Sequence, residues 1–170
     1  ELLNSPDSAV VDINGMAVAL NSAANAATLL QNPELGTQYA HDAQRYWEQL
    51  VAKNPENGDY VRGLANAHNC LGRLARRQGR LSEGAKEFDV AIQLILDLPA
   101  ASLAEENNQR LLSTLYNNVA SAAQAEGRLS DAFDGLAKSE EIAARLAANH
   151  PNMTRPQIEH AIALEQKGVA

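Results

Sequence analysis

The tetrapeptide Gly79-Arg80-Leu81-Ser82 returns 48 residues later as Gly127-Arg128-Leu129-Ser130. The same offset links Asn21, Asn69 and Asn117, and it carries Pro55 to Leu103 and then to Pro151. Small residues follow the period as well: Gly36, Gly84 and Ala132 share one column, and Ala43, Ala91 and Ser139 share another. A spacing kept across this many columns marks a tandem repeat. Each copy is then one supersecondary unit that cannot bury its apolar face alone and must stack on its neighbours. The 170 residues divide into copies over about 8–55, 56–102 and 103–151, followed by a final segment at 155–168, all within one domain over 1–170.

Each copy reads as two helices. The chain holds 31 Ala and 22 Leu against 14 Val plus Ile and seven aromatics, a balance that favours helix and disfavours sheet. Asn32-Pro33-Glu34 places a capping Asn before a proline at the first helical position, where the missing N–H costs nothing. Tyr39, Ala43, Tyr46, Trp47 and Leu50 then keep a helical spacing until Asn54-Pro55-Glu56-Asn57 breaks it. The next helix spans about 58–78 and ends at Gly79, where glycine suits a left-handed stop. A further helix covers about 81–97 and halts before Pro99. Ser102-Leu103-Ala104-Glu105 has the form of a capping box and predicts a helix from there to about Glu126, ended by Gly127. Another helix covers about 129–149, stopped by His150-Pro151. A last one opens at Thr154 and Pro156, with Ile158, Ala161, Ile162 and Leu164 as its apolar stripe. With a helix near 8–30, seven are expected in an all-α chain.

Bulk properties exclude several function classes. The net charge is −7, a poor basis for phosphate affinity, so nucleic acid is not an expected partner. No apolar run approaches the ~20 residues that cross a bilayer. Residues 1–20 carry no Lys or Arg, so no secretory leader is visible, and a start at Glu1 suggests a piece of a longer protein. A single cysteine, Cys70, leaves no internal disulfide and fits a cytoplasmic setting. His41, His68, His150 and His160 show no metal-ligand spacing, and no His-Glu-x-x-His occurs. No metal or cofactor is expected, and no catalytic residue. His68 reads as a packing residue. Tyr39, Tyr46, Trp47 and Tyr60 read as core between the first two copies rather than as a ligand platform.

The segment from His68 through Leu71-Gly72 and Ala75, then Gly79, Leu81, Gly84, Phe88 and Ala91, resembles a tetratricopeptide repeat. Tyr116 and Ala132 fill the His68 and Gly84 positions in the next copy. The family's period is about 34 residues, so a 48-residue copy gives each helix about two extra turns. Asn54-Pro55-Glu56-Asn57, Tyr60-Val61-Arg62, Leu64-Ala65 and His68-Asn69 resemble long repeats attached to some bacterial serine/threonine protein kinases. No Gly-rich loop, His-Arg-Asp or Asp-Phe-Gly motif is present.

The resemblance implies a right-handed α-solenoid of three long antiparallel helix pairs plus a C-terminal helix. It implies a non-catalytic scaffold that recruits a protein or peptide, within a larger signalling protein. A self-association or intramolecular regulatory module of such a kinase is the alternative. In this family the first helix of each pair lines the concave face. Asn21, Asn69 and Asn117 would form a ladder there, with Asn25, Arg73 and Ser121 one turn on. That ladder could hydrogen-bond an extended peptide, or it could tie neighbouring helices together. Residues 60–80 also hold five arginines, Arg62, Arg73, Arg76, Arg77 and Arg80, and no acid. Arginine forks suit carboxylates, so Arg73 and Arg76 beside Asn69 are candidates to hold an acidic peptide. The other reading is a solvated basic face paired with Glu83, Glu87 or neighbouring acids.

Overall fold

A computed structural model describes residues 6–149, with side chains from residue 13. All regular structure among them is helical: α1 (Pro6–Leu29), α2 (Pro33–Lys53), α3 (Gly58–Arg77), α4 (Leu81–Leu96), α5 (Ala100–Leu103), α6 (Glu106–Ala125) and α7 (Leu129–Asn149). The expected helix at 155–168 lies outside the described residues. The chain divides into two compact units, Glu1–Pro99 and Ala100–Ala170.

The period governs the helix ends. α1, α3 and α6 stop at Leu29, Arg77 and Ala125, each 48 residues after the last, and α2, α4 and α7 start at Pro33, Leu81 and Leu129 with the same spacing. The stops share one geometry. The N–H groups of Asn32, Arg80 and Arg128 donate to the carbonyls of Ala27, Ala75 and Ala123 at 3.0, 2.9 and 2.9 Å, the long bond of a Schellman turn. That turn needs a left-handed residue, and Gly79 (φ 78°) and Gly127 (φ 75°) supply it. The first copy has Gln31 there, at φ 58°, the one described non-glycine residue with positive φ. The starts are capped where the sequence permits. Asn32 accepts from the Leu35 N–H, and Asn57 accepts from those of Asp59 and Tyr60. Arg80 pairs with Glu83, and 48 residues on Arg128 pairs with Asp131.

One predicted boundary is wrong. Ser102-Leu103-Ala104-Glu105 does not open α6 as a capping box. Residues 100–103 form the short α5, the chain breaks, and α6 starts at Glu106 with no side-chain cap. Leu103 stands where the previous copy has Pro55, so an extra helical turn is tolerated before the break. Its loose carbonyls are held by the next helix: Asn108 Nδ2 donates to the Ser102 carbonyl (2.7 Å) and Gln109 Nε2 to that of Leu103 (2.6 Å). Neither side chain fits a rule based on apolar spacing, yet both are buried.

Within the first unit α1 packs on α2, α2 on α3, α3 on α4, and α1 also touches α3. α3 is the centre, with twelve of its 20 residues buried. Two apolar clusters join it to α1 and α2. Ala17, Ala43, Trp47, Leu50, Leu64 and Ala67 form one; Ala24, Ala40, Cys70, Leu71 and Leu74 form the other. The aromatic residues divide between them. Trp47 is buried against Tyr60, with ring centroids 6.3 Å apart, and Tyr46 joins that cluster, whereas Tyr39 packs on the second.

The helices of a pair meet at small residues. A Cβ placed on Gly84 would lie 2.8 Å from the Gly72 carbonyl oxygen and 2.8 Å from Cγ of Arg76. The homologous position in the first pair, Gly36, faces the Ala24 carbonyl at 3.4 Å. On the far side of the crossing, a Cβ on Gly72 would meet the Phe88 ring at 2.5 Å. In the second unit the corresponding pair is Ala120 and Ala132, both buried.

Two stability effects of opposite sign are expected. Gly84→Leu cannot be accommodated against a backbone carbonyl and should cost roughly 1–3 kcal/mol or more, read as a lower urea midpoint. Gln31→Gly relieves a left-handed glutamine and should gain up to about 1 kcal/mol. A Gly84→Leu protein that melts like the parent would show that these helices do not meet there.

Candidate functional site

α1 and α3 face one another across a groove of about 470 Å³ in the first unit. α1 contributes Asn14, Val18, Asn21, Ser22 and Asn25, and α3 contributes Asp59, Arg62, Gly63 and Asn66. On α1 the spacing 14, 18, 21, 25 keeps one helical face toward the groove. Trp47 of α2 also lines it. The indole reaches that position because Gly63 has no side chain: a Cβ there would lie 2.5 Å from the ring.

Asn21 and Asn25 were expected on a binding face, and both line the groove. Each also holds the helices. Asn21 Nδ2 donates to the Gly63 carbonyl at 3.1 Å, tying α1 to α3. Asn25 donates to the Asn21 carbonyl and accepts from Arg73 Nη1 at 3.1 Å, again from α1 to α3. The residues Asn25 and Arg73 are one repeat apart, so this bond joins two members of the same column. Asn69 is buried on α3 and is not among the groove residues. Asn117 and Ser121 belong to the second unit. Ser121 borders a separate, largely apolar hollow of about 340 Å³ with Ala120, Leu129, Ala132, Phe133 and Leu136. There Leu129 and Phe133 are each 59% exposed.

The arginines of residues 60–80 do not converge. Arg77 Nη1 donates to the Thr28 carbonyl (2.6 Å) in the last turn of α1, where that oxygen has only a long 3.4 Å bond from the Gln31 N–H. Arg80 bonds Glu83 and Gln78. Arg62 pairs with Asp59 at the groove. The Arg76 stem lies against the Gly84 backbone of α4. Of the five, only Arg62 lines the groove.

Two polar atoms in the groove wall have no hydrogen-bond partner: Asn21 Oδ1, an acceptor, and Trp47 Nε1, a donor. Asn14 and Asn66 make no side-chain hydrogen bond among the described residues, and Asn66 is exposed. Sequence reasoning missed Asn14, Val18, Ser22, Asp59 and Asn66, and placed Trp47 in the core alone. Continuing the Asn21/Asn25 face one and two turns back along α1 would have found Val18 and Asn14.

Other candidate chemistry resolves into packing. His68 is buried, and its Nδ1 lies 2.7 Å from Glu87 Oε2, which links α3 to α4. Among the described residues no group of three His, Cys, Asp or Glu side chains could hold a metal, and no helix is long and apolar enough to cross a membrane. Cys70 is buried; burial pushes its thiol above the ordinary value, against smaller opposing effects of Arg73 and a hydrogen bond with Thr28. Compared with known proteins, the chain matches no family model and no curated protein sequence.

The raised Cys70 value has a defined sign. The folded state keeps the neutral thiol, so its contribution to stability is complete at neutral pH and is lost as pH rises past about 8.5, where the unfolded thiol ionises. Cys70 should therefore resist a disulfide reagent such as DTNB at about pH 8, and react only on unfolding. Rapid stoichiometric labelling of the native protein would contradict its burial.

Proposed function

We propose that this chain is a non-catalytic protein-interaction module that takes an extended peptide segment of a partner in the α1–α3 groove. The single observation that carries the proposal is the groove itself: an open, carboxamide-lined channel between two successive first helices, about 470 Å³ in volume. The 48-residue repetition of helix ends supports a tetratricopeptide-like right-handed solenoid of long helix pairs, in which such helices line the concave face. The resemblance to kinase-attached repeats suggests a recruitment domain of a larger signalling protein.

A second reading, self-association, is favoured by one observation. The hollow of α6 and α7 is largely apolar, with the Leu129 and Phe133 side chains exposed beside it, and exposed apolar surface of this kind marks contact sites. Light scattering separates the two. A dimer that Phe133→Asp dissolves would favour self-association, and a monomer throughout would favour the groove.

The groove reading is tested by panning a random dodecapeptide phage library on the full chain. Ser22→Trp places an indole in the channel and should abolish retention of the selected peptides. Phe133→Asp, in the second unit, should leave retention unchanged. Peptides that bind the Ser22→Trp protein as well as the parent would remove the groove from consideration.

A further inference from the structure

We infer that the segment this groove accepts is uncharged, recognised through its main chain and through amide or hydroxyl side chains rather than through acids. The inference rests on the groove being the partner site. Asn21 and Asn25 are engaged in helix contacts, so the carboxamides left to meet a ligand are those of Asn14 and Asn66, which make no side-chain hydrogen bond among the described residues. A carboxamide offers both donors and acceptors, which matches the one N–H and one C=O of each peptide unit. The charged side chains of the lining are Asp59 and Arg62, and they pair with each other. The lining therefore carries no net charge. A carboxylate or ammonium entering it would shed water without gaining a counter-charge, unless it broke the existing pair.

The nearby arginines do not change this balance. Arg73 is turned to Asn25, Arg77 to the last turn of α1, and Arg80 to Glu83. Each is engaged in a contact that holds helices or a helix start, so drawing one toward an acidic ligand would cost the contact it makes. At longer range the chain's net charge of −7 repels acidic segments. Half-exposed Val18 adds an apolar wall, which favours small uncharged side chains over hydrated ones.

The library selection described above tests this directly, with the selected peptides synthesised and titrated against the full chain. Sequences without excess Asp or Glu are expected. Their affinity should change less than about twofold between about 50 and about 500 mM NaCl, because no ion pair is there to be screened. Asn66→Ala, at an exposed position, should leave the melting temperature unchanged and weaken binding at least about fivefold, ~1 kcal/mol. Acid-rich peptides whose affinity falls tenfold or more over the same salt range would overturn the inference while leaving the groove as the site. A selection that yields no peptide sensitive to Ser22→Trp would instead sink the groove reading itself.

Discussion

The structure depends on how closely two helices of a pair can approach at one point. In the tightest case the Gly72 carbonyl lies so near Gly84 that no Cβ fits between them. Interaxial distance in helix packing is set by the side chains at the contact, so a glycine there sets the separation for the whole pair. Phe88 can then lie on Gly72, and the Arg76 stem on Gly84. The contact partners stand twelve residues apart, 24 with 36 and 72 with 84, and the corresponding positions in the last copy are 120 and 132. The left-handed residue of the turn falls between them at 31, 79 or 127. Stop, reversal and crossing thus form one mechanical unit, and a period of 48 preserves all three together.

Around that fixed point the copies exchange side chains as sets. Ala17 and Ala43 share a core cluster, and their homologues Ala65 and Ala91 are fully buried. In the last copy both positions become serine. The Ser113 and Ser139 hydroxyl oxygens lie 2.9 Å apart, and each is also within about 3 Å of the other's carbonyl, so one hydroxyl donates to its neighbour's oxygen while the other donates to a carbonyl. Two buried hydroxyls are tolerated because each finds an acceptor across the helix contact, in the other hydroxyl or in a main-chain carbonyl. A second set behaves likewise. His68 faces Glu87, whereas the corresponding residues are Tyr116 and Gly135 in the next copy. There a Cβ on Gly135 would already lie 3.1 Å from the Tyr116 carbonyl. Residues that meet across a helix pair thus change together from copy to copy.

Helix existence and most helix ends were legible in the sequence because they rest on local chemistry: Asn caps, Pro55, Gly79 and Gly127 act within one turn. The break between α5 and α6 was not, because it depends on Asn108 and Gln109 reaching back six residues to main-chain carbonyls, a tertiary bond with no periodic signal. Gln31 was missed for the opposite reason. It carries no turn signature of its own, and only its homology to Gly79 and Gly127 reveals the conformation. The site was half legible. Asn21 and Asn25 were visible through their columns, and Trp47 was not, since its access to the groove requires the missing side chain of Gly63 on another helix.

Residues kept at the period and residues beside them serve different contacts. Asn21 recurs as Asn69 and Asn117, and in the first unit its observed bond is to the Gly63 main chain. The column partners Asn25 and Arg73 are bonded to each other. A residue kept at one period is suited to a contact that every neighbouring pair of helices must make, and such contacts are between helices. Other groove positions are not kept along the period: Asn14 stands opposite Arg62 in the repeat, and Val18 opposite Asn66. Asn21, which draws attention in the sequence, ties α1 to α3, and under the proposed reading the unrepeated Asn14 and Val18 beside it are what an entering segment would meet.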